Sequence, residues 1–161
     1  MKALFLLGLT FIFFSGCRKI DEYPLVPVLT YKSVDFTVDS LGSLFTLKAT
    51  FTDGDGDIGY RSEVPNGDEF DDPTSPYYYN FHIILQVLQN NVWKDSTEFI
   101  LNSRLPYLTP QGKNKALKGE ITKTDFLPFL SDTIRFTSFI YDRSKNKSNL
   151  IETPAYIIDV R

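Results

Sequence analysis

Apolar and polar residues alternate with a period of two along most of this chain, the spacing that sends successive side chains to opposite faces of a β-strand. Over residues 45–51 every odd position is apolar and every even one is Thr or Lys. Residues 34–38 alternate likewise, and Asp39-Ser40-Leu41-Gly42-Ser43 supplies a turn between the two stretches. Residues 79–88 are a nearly continuous apolar run, and Asn90-Asn91 predicts a hairpin turn into a partner strand over 92–100. An irregular connection over 102–115, marked by Pro106, Pro110 and Gly112, precedes three further predicted strands at 116–122, 133–141 and 154–160. Residues 123–130 offer one helical turn, interrupted by Pro128, and no other stretch reads as a helix. Seven short strands separated by turn signals predict an all-β fold, an antiparallel seven-stranded β-sandwich.

The first sixteen residues follow a different pattern. Lys2 precedes an apolar run over 3–14 broken only by Gly8 and Thr10, and Ser15-Gly16 leads into Cys17. The run is shorter than the ~20 residues of a membrane span and fits a secretory h-region of ~7–15 residues. Phe14-Ser15-Gly16-Cys17 resembles a bacterial lipobox, with Phe14 standing where that motif prefers Leu. The resemblance implies cleavage before Cys17, a diacylglyceryl group on its sulfur and a further acyl chain on its amine. Each buried CH₂ then contributes roughly 0.8 kcal/mol, and two chains anchor stably where one does not. The other reading is a plain secretory peptide that leaves Cys17, the only cysteine, as a free exported thiol. The chain divides into a signal peptide (1–16), a lipidated cysteine and tether (17–27) stiffened by Pro24 and Pro27, and one domain (28–161). Arg18-Lys19-Ile20-Asp21-Glu22 resembles the export signals of Bacteroidota surface lipoproteins. The expected location is the outer membrane, facing either the cell surface or the periplasm.

Composition narrows the classes. The formal charge of the 161 residues is −3, and removing 1–16, whose one charged residue is Lys2, moves it to −4. That balance argues against nucleic acid, which requires a clustered basic face. With one cysteine there is no internal disulfide, so the core must hold the domain together. Fourteen Phe and nine Tyr suit strands.

Residues 139–148 look like the penultimate strand and final turn of bacterial immunoglobulin-like and fibronectin-type-III-like domains, in which Asp, a small residue and Asn follow the strand. Here Asp142, Ser144 and Asn146 match, and Lys145 stands where that family commonly has Gly. The chain also resembles uncharacterised Bacteroidota lipoproteins. The shared features are Thr-Asp-Gly-Asp-Gly-Asp-Ile-Gly at 52–59, Gly-Lys-x-Lys-Ala at 112–116 followed by Gly119-Glu120, and the Asp142 turn. The resemblance implies an immunoglobulin-like (fibronectin III-like) sandwich and no established activity.

The acidic loop is the constellation that carries chemistry. Asp53, Asp55 and Asp57, separated by glycines, can curl their carboxylates together, and Ca²⁺ takes 6–8 oxygen ligands. The loop is not an EF-hand, whose Gly and Glu positions hold Ile58 and Val64 here. In the implied sandwich the connections after the second and sixth strands share one end. Asp142, Asn146 and Asn149 then approach the aspartate row, and the tether enters beside it. The candidate metal ligands for Ca²⁺ are Asp53, Asp55, Asp57 and Asp142. The competing reading is that Asp and Gly simply make tight turns, with the acidic run at 68–72 a solvated loop.

His82, the only histidine, reads as a strand residue, because no Gly-x-Ser-x-Gly elbow accompanies it and zinc would lack ligands. Tyr78 and Trp93 are the candidate ligand-binding aromatics, a stacking platform for a sugar; cross-strand packing of Tyr79 with Trp93 is the competing account. The apolar loop 105–110 reads as cover for an open sheet edge, or else as a partner patch. The function expected is a lipid-anchored envelope binding or scaffolding domain without catalytic activity. Its partners are the membrane, through the anchor, and an envelope protein or glycan. The alternative is a carbohydrate-binding or glycan-hydrolase accessory lipoprotein.

Overall fold

A computed structural model describes residues 22–128 and 132–159. The elements in chain order are β1 (Val28–Asp39), β2 (Gly42–Asp53), a single helical turn α1 (Asp68–Asp71), β3 (Phe81–Gln89), β4 (Val92–Asp95), β5 (Leu117–Pro128), β6 (Asp132–Ile140), β7 (Ile151–Glu152) and β8 (Tyr156–Ile158). The fold is all-β, in two antiparallel sheets: β1-β2-β5, and β4-β3-β6-β7 with β8 also paired to β6. The signal-peptide and Cys17 expectations lie outside the described residues. Among the described residues no helix is long and apolar enough to cross a membrane.

Local chemistry explains the turns. Asp39 Oδ1 accepts the N–H groups of Leu41 (2.8 Å) and Gly42 (3.2 Å), which closes the β1–β2 hairpin where it was predicted. Asn90 and Asn91 both adopt positive φ, 52° and 61°, the backbone that a type I′ hairpin turn requires.

Several boundaries differ from the sequence reading. Residues 123–128 are not a helical turn; they continue β5 in unbroken register with β2 as far as Gly42↔Pro128. Pro128 is tolerated because it ends a strand at the sheet's edge. β4 stops at Asp95 rather than reaching residue 100. The last expected strand is present as β7 and β8, separated by Thr153-Pro154-Ala155. At that break Thr153 Oγ1 accepts the Phe136 N–H at 3.0 Å, and the Thr153 N–H donates to Phe136 O at 2.9 Å, so the β6 backbone stays satisfied. The acidic run at 68–72 holds α1 rather than a plain loop. Arg104 pins it, donating to Phe70 O and Tyr78 O and pairing with Asp71.

Alternation decides the core. Phe45, Leu47, Ala49 and Phe51 of β2 and Ile134, Phe136 and Ile140 of β6 are buried, and the Phe45 and Phe136 rings from the two sheets stack at 4.6 Å. Leu105 is buried and Leu108 packs against the same cluster, so loop 105–110 covers the core. His82 is a strand residue: it pairs with Phe139 across β3 and β6, stacks on its ring at 4.6 Å and bonds Tyr79 O at 2.8 Å. Phe136→Ala should cost about 3–5 kcal/mol of stability. Urea denaturation of the variant checks this, and a loss under 1 kcal/mol would contradict the packing described.

Candidate metal centre

Inward parity does not stop at the last apolar residue of either strand. In β2 the inward positions run Phe45, Leu47, Ala49, Phe51, and the next is Asp53. In β6 they run Ile134, Phe136, Ser138, Ile140, and the next, two residues on, is Asp142. Asp53 and Asp142 are each 0% exposed. The loop after β2 brings in a third carboxylate, Asp57, after turning at Gly56, whose φ of +68° favours glycine. An isolated bridge between Ile58 and Asp142 holds the loop to the segment after β6. One carboxylate oxygen from each of Asp53, Asp57 and Asp142 lies within 4.8 Å of the other two.

The hydrogen bonds divide the carboxylates of Asp53 and Asp57 each into an anchored and a bare half. Asp53 Oδ2 accepts the Asp57 N–H at 2.9 Å. Asp57 Oδ2 accepts the Ser144 N–H at 3.0 Å and its hydroxyl at 2.8 Å. The Oδ1 atoms of Asp53, Asp55 and Asp57 are buried and have no hydrogen-bond partner among the described residues. Asp142 accepts the Asn146 N–H at 2.7 Å and its side-chain amide at 2.8 Å, which leaves a lone pair on each oxygen. Asp55 stands outside the group of three converging oxygens.

Electrostatics make the arrangement costly. Burial pushes the Asp53 carboxyl up to about 6, and Asp55, Asp57 and Asp142 add repulsion. Burial likewise raises Asp142, aided by Asp57 and Asp55, and raises Asp55, aided by Asp57. Among the described residues no ion pair reaches these four aspartates. The neighbouring Arg143 spends its guanidinium on carbonyls, donating to Ile58 O (2.9 Å), Gly59 O (3.0 Å) and Gly56 O (3.4 Å), and on Thr109 Oγ1 (2.9 Å). It braces the loop from behind. A buried polar atom without a partner costs about 1–3 kcal/mol, and a charged one more.

The other nominated residues are not brought together. Trp93 pairs with Leu88, so it lies at the far end of β3 from Tyr78, and the Arg135 guanidinium sits 4.5 Å over its ring. Tyr78 carries Arg104 at 4.8 Å and meets Tyr79 edge-on; Tyr79 does not pair with Trp93. A shallow groove of about 520 Å³ runs between 60–64 and 104–107, with Glu63 as its one carboxylate. Arg143 and Thr109 support the centre and were not singled out from the sequence; Ser144, read there only as the small residue of the turn, also supports it through its hydroxyl. No protein-family model, characterised relative or solved structure matches the chain at a significant level.

Because the folded-state pKa of Asp53 lies above its ordinary 3.8, the folded metal-free protein binds more protons than the unfolded chain between about pH 4 and 6. Its stability therefore rises as pH falls through that window, by an amount on the order of 3 kcal/mol when fully developed. His82, held below its usual pKa by burial, opposes this as its unfolded form charges. In chelator the melting temperature should be higher at pH 5 than at pH 7 by more in the native protein than in Asp53→Asn. Identical profiles would contradict the assignment.

Proposed function

We propose that this chain is a lipid-anchored, calcium-stabilised display domain of the bacterial outer membrane, without catalytic activity. The lipid on Cys17 fixes its position, and its surfaces bind an envelope protein or glycan. The sheet order β1-β2-β5 against β4-β3-β6-β7 supports an immunoglobulin-like, fibronectin III-like sandwich, in which β7 and β8 together make the last strand. The observation that carries the reading is the convergence of Asp53, Asp57 and Asp142 with buried carboxylate oxygens left bare.

Donor chemistry selects a hard cation. Ca²⁺ holds its oxygens at 2.3–2.6 Å, so two of them stand up to roughly 4.6–5.2 Å apart. Three carboxylate oxygens within 4.8 Å of one another fall inside that span. Zinc prefers nitrogen and sulfur, and the donors here are all oxygen. Asp53, Asp57 and Asp142 would hold the ion, and Asp55, whose Oδ1 is also bare, stands by to join them. The aspartates are thereby committed to tying two loops rather than to a groove, which favours a structural role over glycan hydrolysis. Tyr78 and Trp93, at opposite ends of β3, do not make one stacking platform, so the glycan-accessory reading finds less support.

At a Ca²⁺ concentration 100-fold above Kd the ion should add about 2.7 kcal/mol, which for a domain of this size raises the melting temperature by roughly 5–10 °C. Differential scanning calorimetry with Ca²⁺, Mg²⁺ and chelator reads this out. Asp142→Asn should abolish most of the shift, and a native protein indifferent to Ca²⁺ would overturn the calcium assignment. For the anchor, radiolabelled palmitate should enter the native protein in its bacterial host and fail to enter Cys17→Ser. An unlabelled native protein would remove the membrane from the proposal.

A further inference from the structure

The two segments that supply the metal ligands are also the two that grip the start of the domain. On one side the Gly54 N–H, one residue past Asp53, donates to Pro24 O at 2.8 Å. On the other, Asn149, in the connection that begins at Asp142, clamps the first turn of pairing in β1. Its Oδ1 accepts the Leu29 N–H and its amide donates to Leu29 O, both at 2.8 Å. Gly54 shows how closely the tether passes. A Cβ there would stand 2.4 Å from Tyr23 O and 2.8 Å from Pro24 O. Its φ lies outside the left-handed region, unlike that of Gly56, so the approach of the tether and not backbone strain is what excludes a side chain.

We propose that a divalent cation in the Asp53–Asp57–Asp142 centre controls how firmly the tether is held, and so, through the lipid on Cys17, sets the stance of the domain over the membrane; this rests on the calcium and lipid-anchor readings above. With the ion bound, the loop after β2 and the turn after β6 are joined through its coordination sphere, and the Gly54 and Asn149 jaws keep their spacing. Without it, the same segments are joined by the Ser144 bonds to Asp57, by the Arg143 bonds to the carbonyls of Gly56, Asp57, Ile58 and Gly59 and by the Ile58 bridge, and they carry repelling carboxylates. The jaws then part more readily and the 22–27 segment loosens. Calcium acts here as an effector of orientation rather than of catalysis.

The test pairs two measurements on the full chain in detergent micelles. Isothermal titration with CaCl₂ reports binding, and ¹⁵N relaxation reports backbone order at Tyr23, Leu25 and Val26. On saturation, order parameters of those residues should rise from below about 0.6 to about 0.85, while Ser40 and Leu41, in the turn at the opposite end, stay unchanged. Heat of binding without a change at 23–26 would overturn the proposal and leave the metal centre standing. Absence of binding would remove the calcium reading and the proposal with it. Gly54→Ala, whose Cβ would push away Tyr23 O and Pro24 O and which removes no carboxylate, should bind Ca²⁺ and leave the tether loose; a tether that still orders in this variant would equally overturn the coupling. The spread of core amide resonances shows that the variant is folded.

Discussion

Two carboxylates share one dry end of this molecule, and most of what surrounds them answers to that constraint. Asp53 and Asp142 each take the inward position directly beyond the last apolar residue of their strands, so the packing that buries Phe51 and Ile140 also buries the charges. Isolated buried charge is expensive and settles as a shifted pKa or as a paired group. Here no basic side chain pairs with either aspartate among the described residues, and Asp57 adds a third acid to the same few ångströms. Backbone and side-chain donors satisfy one oxygen of Asp53 and one of Asp57 and leave the other oxygen of each without a partner among the described residues.

The neighbouring architecture braces this arrangement. Arg143 gathers three carbonyls of the acidic loop and stacks 4.3 Å over Tyr107, which ties loop 105–110 to the same end. In the turn from Asp142 to Asn146, Lys145 holds a φ of 66°, a conformation that costs a residue with a side chain about 1 kcal/mol or more. The sequence resemblance placed Gly at this position in related turns, and the backbone explains that preference. Lys145 offsets the cost through its ion pair with Glu69 of α1 and its position 5.3 Å over the Tyr77 ring. The turn that carries Asp142 is thus also tied to the helical turn of the acidic run.

Much of this was legible in the alternation of residues. The odd-numbered apolar series of β2 and the Asn90-Asn91 turn translate directly into strand and hairpin, because period and turn chemistry act locally. The end shared by the acidic loop, Asp142 and the segment before β1 was expected from the sandwich topology that the resemblance implied, and Asp53, Asp142 and Pro24 do meet there. Local signals misled at 123–128, where Pro128 suggested a broken helix and pairing with β2 imposed a strand. Tyr78 and Trp93 are not brought together because the length of β3 separates them, a consequence of register that composition does not carry. The burial of Asp53 was present as parity, two steps beyond Phe51, yet an aspartate at the edge of a glycine-rich loop reads as a solvated turn until its partner from the facing sheet is known.

Crystals of the protein grown with Ca²⁺ and measured at a wavelength where calcium scatters anomalously would test the central claim most directly. The account requires one anomalous peak at about 2.3–2.6 Å from oxygens of Asp53, Asp57 and Asp142. A water molecule or a lysine side chain in that position, with no anomalous signal, would contradict it.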